Sequence, residues 1–381
     1  MGRDELYQEH LKTFVEEKKD GFSDEEAENA FDVLLDVLPN DGKLYKYRSF
    51  EPSKFNNYYT ALKDGYLWFP NANQLNDDLD SVLRFDPITE ANNIRNYLLS
   101  NPRLYFKAMM AYRPDSFMVG LDERDYNSFR EVVDCYDLDT GKMDTTKALR
   151  LLAKRRIHTP RALQYLKDVD TFVENFILKN KGALDGVVEN FININCSIRR
   201  DSYIYSLSET YESNPMWALY ANNNQGFCIE YDFQKAKAFD TIKKRMLLNT
   251  YRVIYSDTIE EYSFVDNLKY FLTGKKDTEL CAKANMSIFR QLMTKQADWS
   301  FEKEWRIILM NLPDNRIYFD LVSRIIIDER ALGSDEADRL IRLCRERKWD
   351  VLIRTIQYIN VAHQYIPFSE WEQRRQENAR S

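Results

Sequence analysis

The sequence predicts an α+β protein in which a mixed, largely antiparallel sheet carries an inserted helical lobe. Stretches of alternating polarity occur near the start of the chain and again in its second half, and the region between them has helical periodicity instead. The chain has 381 residues, of which 44% are hydrophobic and 14% aromatic, so it can bury a substantial core. This composition excludes a disordered or fibrous protein.

Charge and pattern divide the chain into three regions. They are an acidic helical arm (1–40), an α+β core domain (41–85 with 196–381) and a helical insertion (86–195). The arm holds 12 acidic and 4 basic residues, a balance of −8, so the rest of the chain carries +1 of the total −7. A body so close to neutral can bind an anionic ligand through a few arginines.

The first part of the chain is predicted to contain helices and two strands. In chain order these are a helix at 4–18, a helix that begins at the capping box of Ser23, a turn at 39–42, a strand at 43–50, a helix at 53–64 and a strand at 66–69. A polar loop over 70–80 follows the second strand.

The second part is predicted to supply most of the sheet. Its strands are at 202–209, 227–233, 252–257, 304–310, 323–328 and 350–356. Helices start at Asn214 and at Ser334. The strand at 323–328, the helix after it and the strand at 350–356 form a possible crossover unit, which would pair two strands in parallel.

Cysteine and histidine usage indicates a protein without a metal. The five cysteines are dispersed, and only three histidines are present, whereas a zinc site needs close-set ligands. Dispersed thiols are typical of a reducing compartment. The start of the chain lacks the apolar segment of a signal peptide, and no apolar run approaches the ~18 residues of a membrane span. We therefore expect a cytoplasmic protein that makes no contact with a membrane.

Two sets of candidate binding residues lie near the start of the chain, one on the first strand and one in the loop after the second strand. Tyr47 and Arg48 lie on the first strand, where an arginine beside an aromatic ring can hold a phosphate; the alternative is a surface charge on an edge strand. Asn73, Asn76 and Asp77 crowd the loop after the second strand. Their amide and carboxylate groups can read a base or a ribose, and the alternative is ordinary turn chemistry.

Two further groups lie in the second half. Ser206 and Ser208 share a strand face, and Trp217 and Tyr220 on the next helix could wall a small-molecule pocket. The alternative is a strand that simply packs on an aromatic helix. In the segment 299–308, a period of two puts Glu302, Glu304 and Arg306 on one strand face, with the apolar residues on the other. These polar side chains must then point into a cleft or into water.

A basic stretch lies within the insertion. Residues 142–168 carry eight bases and two acids, and four of the bases cluster as Lys154, Arg155, Arg156 and Arg161. Such a run is either a solvated helix face or a patch for a polyanionic partner, which would be a protein or nucleic-acid acceptor.

Several motifs together resemble a bacterial family known as domain of unknown function 2971. They are LYKYR at 44–48, LWFxNxxQLNDxxD at 67–80, an FSE-like triplet at 207–209, MWAxYAxxxxGFCIEYD at 216–232 and WxxEKEWRI at 299–307. The resemblance covers most of residues 43–310 and implies no activity.

The order Arg48, Ser206-x-Ser208, Glu302-x-Glu304 also resembles ADP-ribosyltransferases of the Arg-Ser-Glu type. This resemblance implies a split sheet with NAD as the substrate. It implies that Arg48 holds the pyrophosphate or adjoining ribose, that Ser206 supports the strand and that Ser208 contacts the nicotinamide ribose or amide. Glu304 would stabilise the oxocarbenium ion and Glu302 would orient or deprotonate the acceptor. A toxin or phage-defence effector is the implied biological role.

Two other functions stay open at this point. One is a nucleotide or nucleic-acid sensor without catalysis, in which the asparagine-rich loop reads a base. The other is a nuclease that binds a divalent metal through four acidic residues, Asp77, Asp80, Glu230 and Glu302.

Overall fold

The structure is a computed structural model. It describes residues 2–12, 23–75, 80–81, 85–101, 104–105, 108, 135–137, 142–154, 183–258, 263–273, 289–357 and 362–380.

Contacts between residues group the chain into two compact units. The first contains 1–82, 199–259 and 290–381, and the second contains 83–198 and 260–289. Residues 1–40, predicted as an arm, therefore group with the sheet. Residues 260–289, predicted as part of the core domain, group with the helical unit.

The strands are numbered in chain order. They are β1 Lys43–Ser49, β2 Leu67–Trp68, β3 Tyr136–Asp137, β4 Lys142–Met143, β5 Ser202–Ser208, β6 Gly226–Asp232, β7 Thr250–Arg252, β8 Ile254–Tyr255, β9 Thr294–Lys295, β10 Glu304–Met310, β11 Arg316–Ile317, β12 Val322–Asp328, β13 Asp350–Gln357 and β14 Ala362–Pro367.

The helices are numbered in the same way. They are α1 Arg3–Leu11, α2 Asp24–Val37, α3 Pro39–Gly42, α4 Pro52–Asp64, α5 Pro87–Ser100, α6 Thr145–Lys154, α7 Ala183–Asp201, α8 Asn214–Tyr220, α9 Thr241–Leu247, α10 Phe264–Thr273, α11 Asp335–Arg347 and α12 Phe368–Arg380. Short 3₁₀ segments are at Ala72–Gln74, Phe233–Ala238, Ala297–Glu302 and Glu329–Ala331.

The first unit is built on an eight-stranded sheet. Its strand order is β14-β13-β12-β6-β1-β5-β10-β7. Within this described sheet β12 and β13 run parallel and the other neighbours run antiparallel. The predicted α+β class with a mixed, largely antiparallel sheet is confirmed.

The predicted crossover unit is confirmed as well. Ser334 caps α11 by accepting a hydrogen bond from the Ala337 N–H. The apolar face of α11, which includes Leu340 and Cys344, is buried. The helix thereby connects the parallel strands β12 and β13, as a short helical connection between neighbouring parallel strands does.

The helix α2 begins where its capping signal predicts, and α1 begins at Arg3, one residue before the predicted start, while the predicted end of that first helix lies outside the described residues. Ser23 Oγ accepts from the Glu26 N–H at 3.2 Å, and Glu26 accepts from the Ser23 N–H at 2.9 Å. The predicted turn after α2 is a short helical turn in which Asn40 and Asp41 have left-handed backbone angles. The Tyr7 hydroxyl on α1 accepts from the Arg252 N–H on β7 at 2.9 Å. The helix α1 is therefore attached to the edge strand β7.

The second unit is mainly helical in its described part. Phe264 at the start of α10 donates its N–H to Glu90 on α5 at 2.9 Å, and its ring lies 4.5 Å from that of Phe85. The strands β3 and β4 pair here, although the sequence pattern shows no strand in this region. None of the helices that the structure describes is both long and apolar enough to cross a membrane.

Gly226 allows β6 to approach β1 closely. A Cβ added at this position would lie 2.3 Å from the Arg48 carbonyl oxygen and 2.8 Å from Ala221 Cα. Because both neighbours are backbone atoms, they cannot move independently of the sheet. Gly226→Ala should lower the free energy of unfolding by roughly 1–3 kcal/mol, as measured by urea denaturation. Gly2→Ala is the control, since a Cβ there meets nothing within 4 Å. Equal stability of the two variants would contradict this packing argument.

Candidate active site

Three central strands bring the predicted polar residues together. β1, β5 and β10 are neighbours in the sheet. Tyr45 on β1 pairs with Ser208 on β5, and Ser208 pairs with Glu304 on β10. Because directly opposed residues share a sheet face, these three side chains form one row across the strands.

A cavity of about 210 Å³ opens at this row. Of the predicted site residues, those that line it are Tyr47, Arg48, Ser206, Ser208, Tyr220, Glu302 and Glu304. The first and the last of these residues, Tyr47 and Glu304, are 257 positions apart (304 − 47) in the sequence, so it is the sheet topology that assembles the site.

Arg48 reaches the cavity from the opposite face of β1. Alternation along the strand places Lys46 and Arg48 on the face opposite Tyr45, and hence opposite Ser208 and Glu304. The registered pairing of β1 with β5 is confined to Tyr45 and Ser208 in the described chain. Nζ of Lys46 donates a hydrogen bond to the Ser206 carbonyl oxygen. The side chain of Lys46 thus takes the place of a backbone hydrogen bond between β1 and β5. Arg48, two residues further along β1, borders the cavity of about 210 Å³.

Arg306 anchors the carboxylates beneath the cavity. It is 0% exposed and donates Nε to Glu304 Oε1 at 2.9 Å. Its two terminal nitrogens donate to the two carboxylate oxygens of Asp80 at 2.8 and 2.6 Å. Such a two-pronged contact fixes both carboxylates in orientation as well as distance.

Lys295 supplies the second buried cation. Its ammonium lies 2.7 Å from Glu302 Oε2, 3.4 Å from Glu304 Oε2 and 3.6 Å from Asp80 Oδ2. It also stands over the Trp299 ring, 4.8 Å from the centroid. Burial alone would lower the pKa of Lys295, but the three carboxylates raise it above its ordinary value.

The cluster contains one more carboxylate than cations. Its members are Asp80, Glu302, Glu304, Lys295 and Arg306, all of them buried. With every group ionised the cluster carries a net charge of −1. A buried negative excess favours either a proton on one carboxyl group or a positive charge in the neighbouring cavity.

The two glutamates have opposite protonation tendencies. Burial raises the pKa of Glu302, and the charge of Glu304 raises it further, although Lys295 and the Tyr220 hydroxyl oppose the change. That hydroxyl donates to Glu302 Oε1 at 2.5 Å. Burial acts to raise the pKa of Glu304 too, but Arg306 and Lys295 lower it to about 2. The surroundings of Glu304 thus favour its ionised form, whereas those of Glu302 shift it toward the protonated form.

The prediction that Glu302 lies on a strand is wrong. Glu302 ends the 3₁₀ segment, Lys303 has a left-handed backbone (φ 44°), and β10 begins at Glu304. The turn directs Glu302 toward Tyr220 and Lys295. Ser208 Oγ donates to the Glu302 carbonyl oxygen at 2.7 Å and holds this turn in place.

Other predicted residues lie outside the cavity lining. Trp217 is fully buried in an aromatic cluster, where its Nε1–H donates to the Tyr211 carbonyl oxygen at 2.7 Å and its ring meets Tyr47 edge-on. Arg306 lies behind the cavity, and Asn73 is exposed on the 3₁₀ segment Ala72–Gln74. Asn76 and Asp77 lie outside the described residues.

Several residues that line the cavity were not predicted from the sequence to belong to a site. They include Gln74, Lys295 and Trp299. Lys295 precedes the WxxEKEWRI motif, but a single lysine carries no periodic signal. Its position between three carboxylates is apparent only in the folded chain.

The residues of the nuclease hypothesis are dispersed or already paired. Glu230 accepts hydrogen bonds from Ser323 at 2.8 Å and from Arg324 at 3.2 Å. Asp80 is held by Arg306. In the described part of the chain no three His, Cys, Asp or Glu side chains form a group suited to a metal ion. Of the predicted basic patch, Arg155, Arg156 and Arg161 lie outside the described residues, and Lys154 ends α6.

The fold and site define an α+β protein with a buried carboxylate cluster beside a small cavity. Residues 216–307 match the model of the family described as "Protein of unknown function (DUF2971)". This match confirms, over that segment, the predicted resemblance to the domain of unknown function 2971 family. Neither the curated proteins nor the solved structures contain a match to the chain.

Proposed function

We propose that this protein is an ADP-ribosyltransferase-like enzyme that cleaves the nicotinamide–ribose bond of NAD and transfers ADP-ribose to a macromolecular acceptor. One observation carries the proposal: Arg48, Ser206 and Glu304, from three neighbouring strands, line one cavity. The narrow contact between β1 and β5 supports the split sheet that the resemblance implies. A toxin or defence role belongs to this proposal and depends on the acceptor.

The electrostatics suit cleavage of a glycosidic bond. As nicotinamide leaves with the bonding electron pair, positive charge develops on the ribose C1′ and ring oxygen. A buried anion fixed before the reaction stabilises that charge without reorganising. Glu304 has this property because Arg306 and Lys295 keep it ionised.

Arg48 would position the substrate, and Ser206 would position the carboxylate of Glu304. An arginine offers a permanently charged, planar donor set for the pyrophosphate. Ser206 hydrogen-bonds to Glu304 and thereby orients the carboxylate. Ser208 supports the turn that carries Glu302, so its contribution to the substrate is indirect.

Glu302 would act on the acceptor. In the second step the acceptor's nucleophilic atom forms a bond to C1′ and loses a proton. Glu302 can take up that proton because burial and the charge of Glu304 raise its pKa. The two glutamates thus divide the charge stabilisation and the proton transfer between them.

The pH dependence of transfer tests this assignment. Because Glu302 must be ionised to accept a proton, the rate should rise with pH through its raised pKa. Tyr220→Phe removes a hydrogen bond that favours the ionised form. The acid limb of the pH–rate profile should therefore move to higher pH in this variant, measured as the rate at which ADP-ribose is attached to a nucleophilic acceptor.

Tyr47→Phe is the matched control for Tyr220→Phe. Tyr47 also lines the cavity, but its hydroxyl donates to the Thr210 carbonyl oxygen at 2.8 Å instead of to a carboxylate. The acid limb of the pH–rate profile of Tyr47→Phe should therefore lie at the same pH as in the unaltered protein. An unmoved acid limb in Tyr220→Phe would contradict the role of Glu302.

Cleavage of NAD itself is tested by incubating the purified full-length chain with NAD. We expect stoichiometric release of nicotinamide, with ADP-ribose appearing on an acceptor or in solution. The sensor hypothesis predicts NAD or nucleotide binding without any nicotinamide release. Binding without turnover would therefore favour the sensor over the enzyme.

A further inference from the structure

A second cavity lies on the face of the sheet to which Arg48 points. It has a volume of about 600 Å³ and is framed by α4, β2 and the face of β5 and β6 that carries Tyr205 and Tyr231. Typical small-molecule pockets measure about 300–1,000 Å³. The second cavity lies within that range, whereas the first, at about 210 Å³, is smaller.

The lining is aromatic and basic. Its aromatic members are Tyr58, Tyr66, Trp68, Tyr205, Tyr231 and Phe319, and its cations are Arg48, Lys54 and Arg316. No acidic side chain belongs to this described lining. Rings and cations without carboxylates favour a ligand that is both planar and anionic.

Arg48 is the central cation of this cavity. It is half-buried, and its guanidinium lies 4.5 Å from the Tyr58 ring centroid. No carboxylate of the described residues forms an ion pair with it. A partly desolvated arginine without a counter-charge is a ready site for a phosphate, which it can hold by two parallel hydrogen bonds.

The other two cations lie at the mouth in exposed ion pairs. Lys54 pairs with Glu51 at 2.8 Å, and Arg316 pairs with Asp314 at 2.8 Å. In each pair both side chains are about half exposed. Such pairs contribute little to stability, so a ligand anion can compete for either cation.

The floor and rim suit an aromatic ring. Tyr205 and Tyr231 share a hydrogen bond of 2.7 Å between their hydroxyls. Burial raises the pKa of both, so they stay neutral and provide polar groups without negative charge. Trp68 at the rim is 47% exposed, which leaves a large indole surface available for stacking.

We infer that the second cavity binds a nucleotide, with its base against the aromatic wall and its phosphate on Arg48. Because Arg48 also borders the first cavity, an occupying nucleotide competes with the NAD pyrophosphate for the same guanidinium. This inference rests on the lining of the second cavity and does not require that NAD be cleaved.

The test is calorimetric titration of the full chain with AMP, adenosine and ribose 5-phosphate. AMP should bind, and each of the two fragments should bind at least about tenfold more weakly, since one lacks the phosphate and the other lacks the base. No saturable AMP binding, or equal affinity for AMP and adenosine, would overturn the inference.

Matched variants locate the site. Trp68→Ala should weaken AMP binding by roughly tenfold, whereas Trp68→Phe keeps a stacking surface and should retain most of the affinity. Glu304→Gln alters the first cavity only, so AMP affinity should stay unchanged in this variant even where nicotinamide release is lost. Failure of the nucleotide site is therefore distinguishable from failure of the proposed NAD cleavage. AMP affinity that is the same in Trp68→Ala and in the unaltered chain would place the ligand elsewhere and reject this site.

Discussion

Replacing Glu304 with Gln is expected to lower nicotinamide release from NAD by about 10²–10³-fold. The substitution preserves the shape of the side chain but removes the negative charge that, in the proposed reaction, faces the developing oxocarbenium ion. Loss of one preorganised electrostatic contact in an active site has an effect of about this size. The measurement is the initial rate of nicotinamide release at saturating NAD.

Glu230→Gln is the matched control for this substitution. Glu230 is as deeply buried as Glu304 and also pairs with an arginine, but it does not line the cavity. We expect similar thermal stability in the two variants and near-normal nicotinamide release in Glu230→Gln. Equal activity in both variants would remove Glu304 from the reaction. A loss of activity in Glu230→Gln alone would contradict the site as a whole.

Replacing Arg306 with Met is expected to lower the free energy of unfolding by about 3–5 kcal/mol. The substitution leaves the carboxylates of Glu304 and Asp80 buried without the cation that pairs with both, and removing one partner of a buried pair has a cost of this size. Urea denaturation at neutral pH measures the loss. The difference from the unaltered protein should narrow at low pH, where Glu304 of the variant loses the charge that Arg306 had stabilised, because a neutral carboxyl group costs less to bury.

Arg316→Met serves as the control for Arg306→Met. Arg316 also forms an ion pair, but its side chain and that of Asp314 are 54% and 53% exposed. Exposed pairs contribute about 0–1 kcal/mol, so this variant should remain nearly as stable as the parent. Comparable losses in the two variants would show that burial does not determine the strength of the Arg306 network.

The core strands could be predicted because their patterns are strong. The strand predicted at 304–310 matches β10 (Glu304–Met310), and those at 202–209 and 323–328 differ by one residue from β5 and β12. β14 (Ala362–Pro367) was missed. It is an edge strand with mostly half-buried or exposed side chains, so it needs neither an apolar face nor clear alternation. The strand predicted over 252–257 is divided into the end of β7 and β8.

The candidate site was predictable only in part. Arg48, Ser206 and Glu304 lie on strands, so their positions followed from periodicity and from their order along the chain. Asp80 and Arg306 are 226 residues apart and meet through the fold. Lys295 has no pattern of its own, and Glu302 turned away from the predicted strand because Lys303 adopts a left-handed conformation.

The sequence alone determined the α+β class, most strand positions and the polar residues that interrupt the apolar pattern. These are local properties, since alternation, capping and turn residues act over a few positions. Only the tertiary structure decided which of these residues share a cavity, that Arg48 borders two cavities from the opposite sheet face, and that Glu302 and Glu304 differ in their tendency to ionise. The reason is physical: burial and charge pairing depend on neighbours that are distant in sequence.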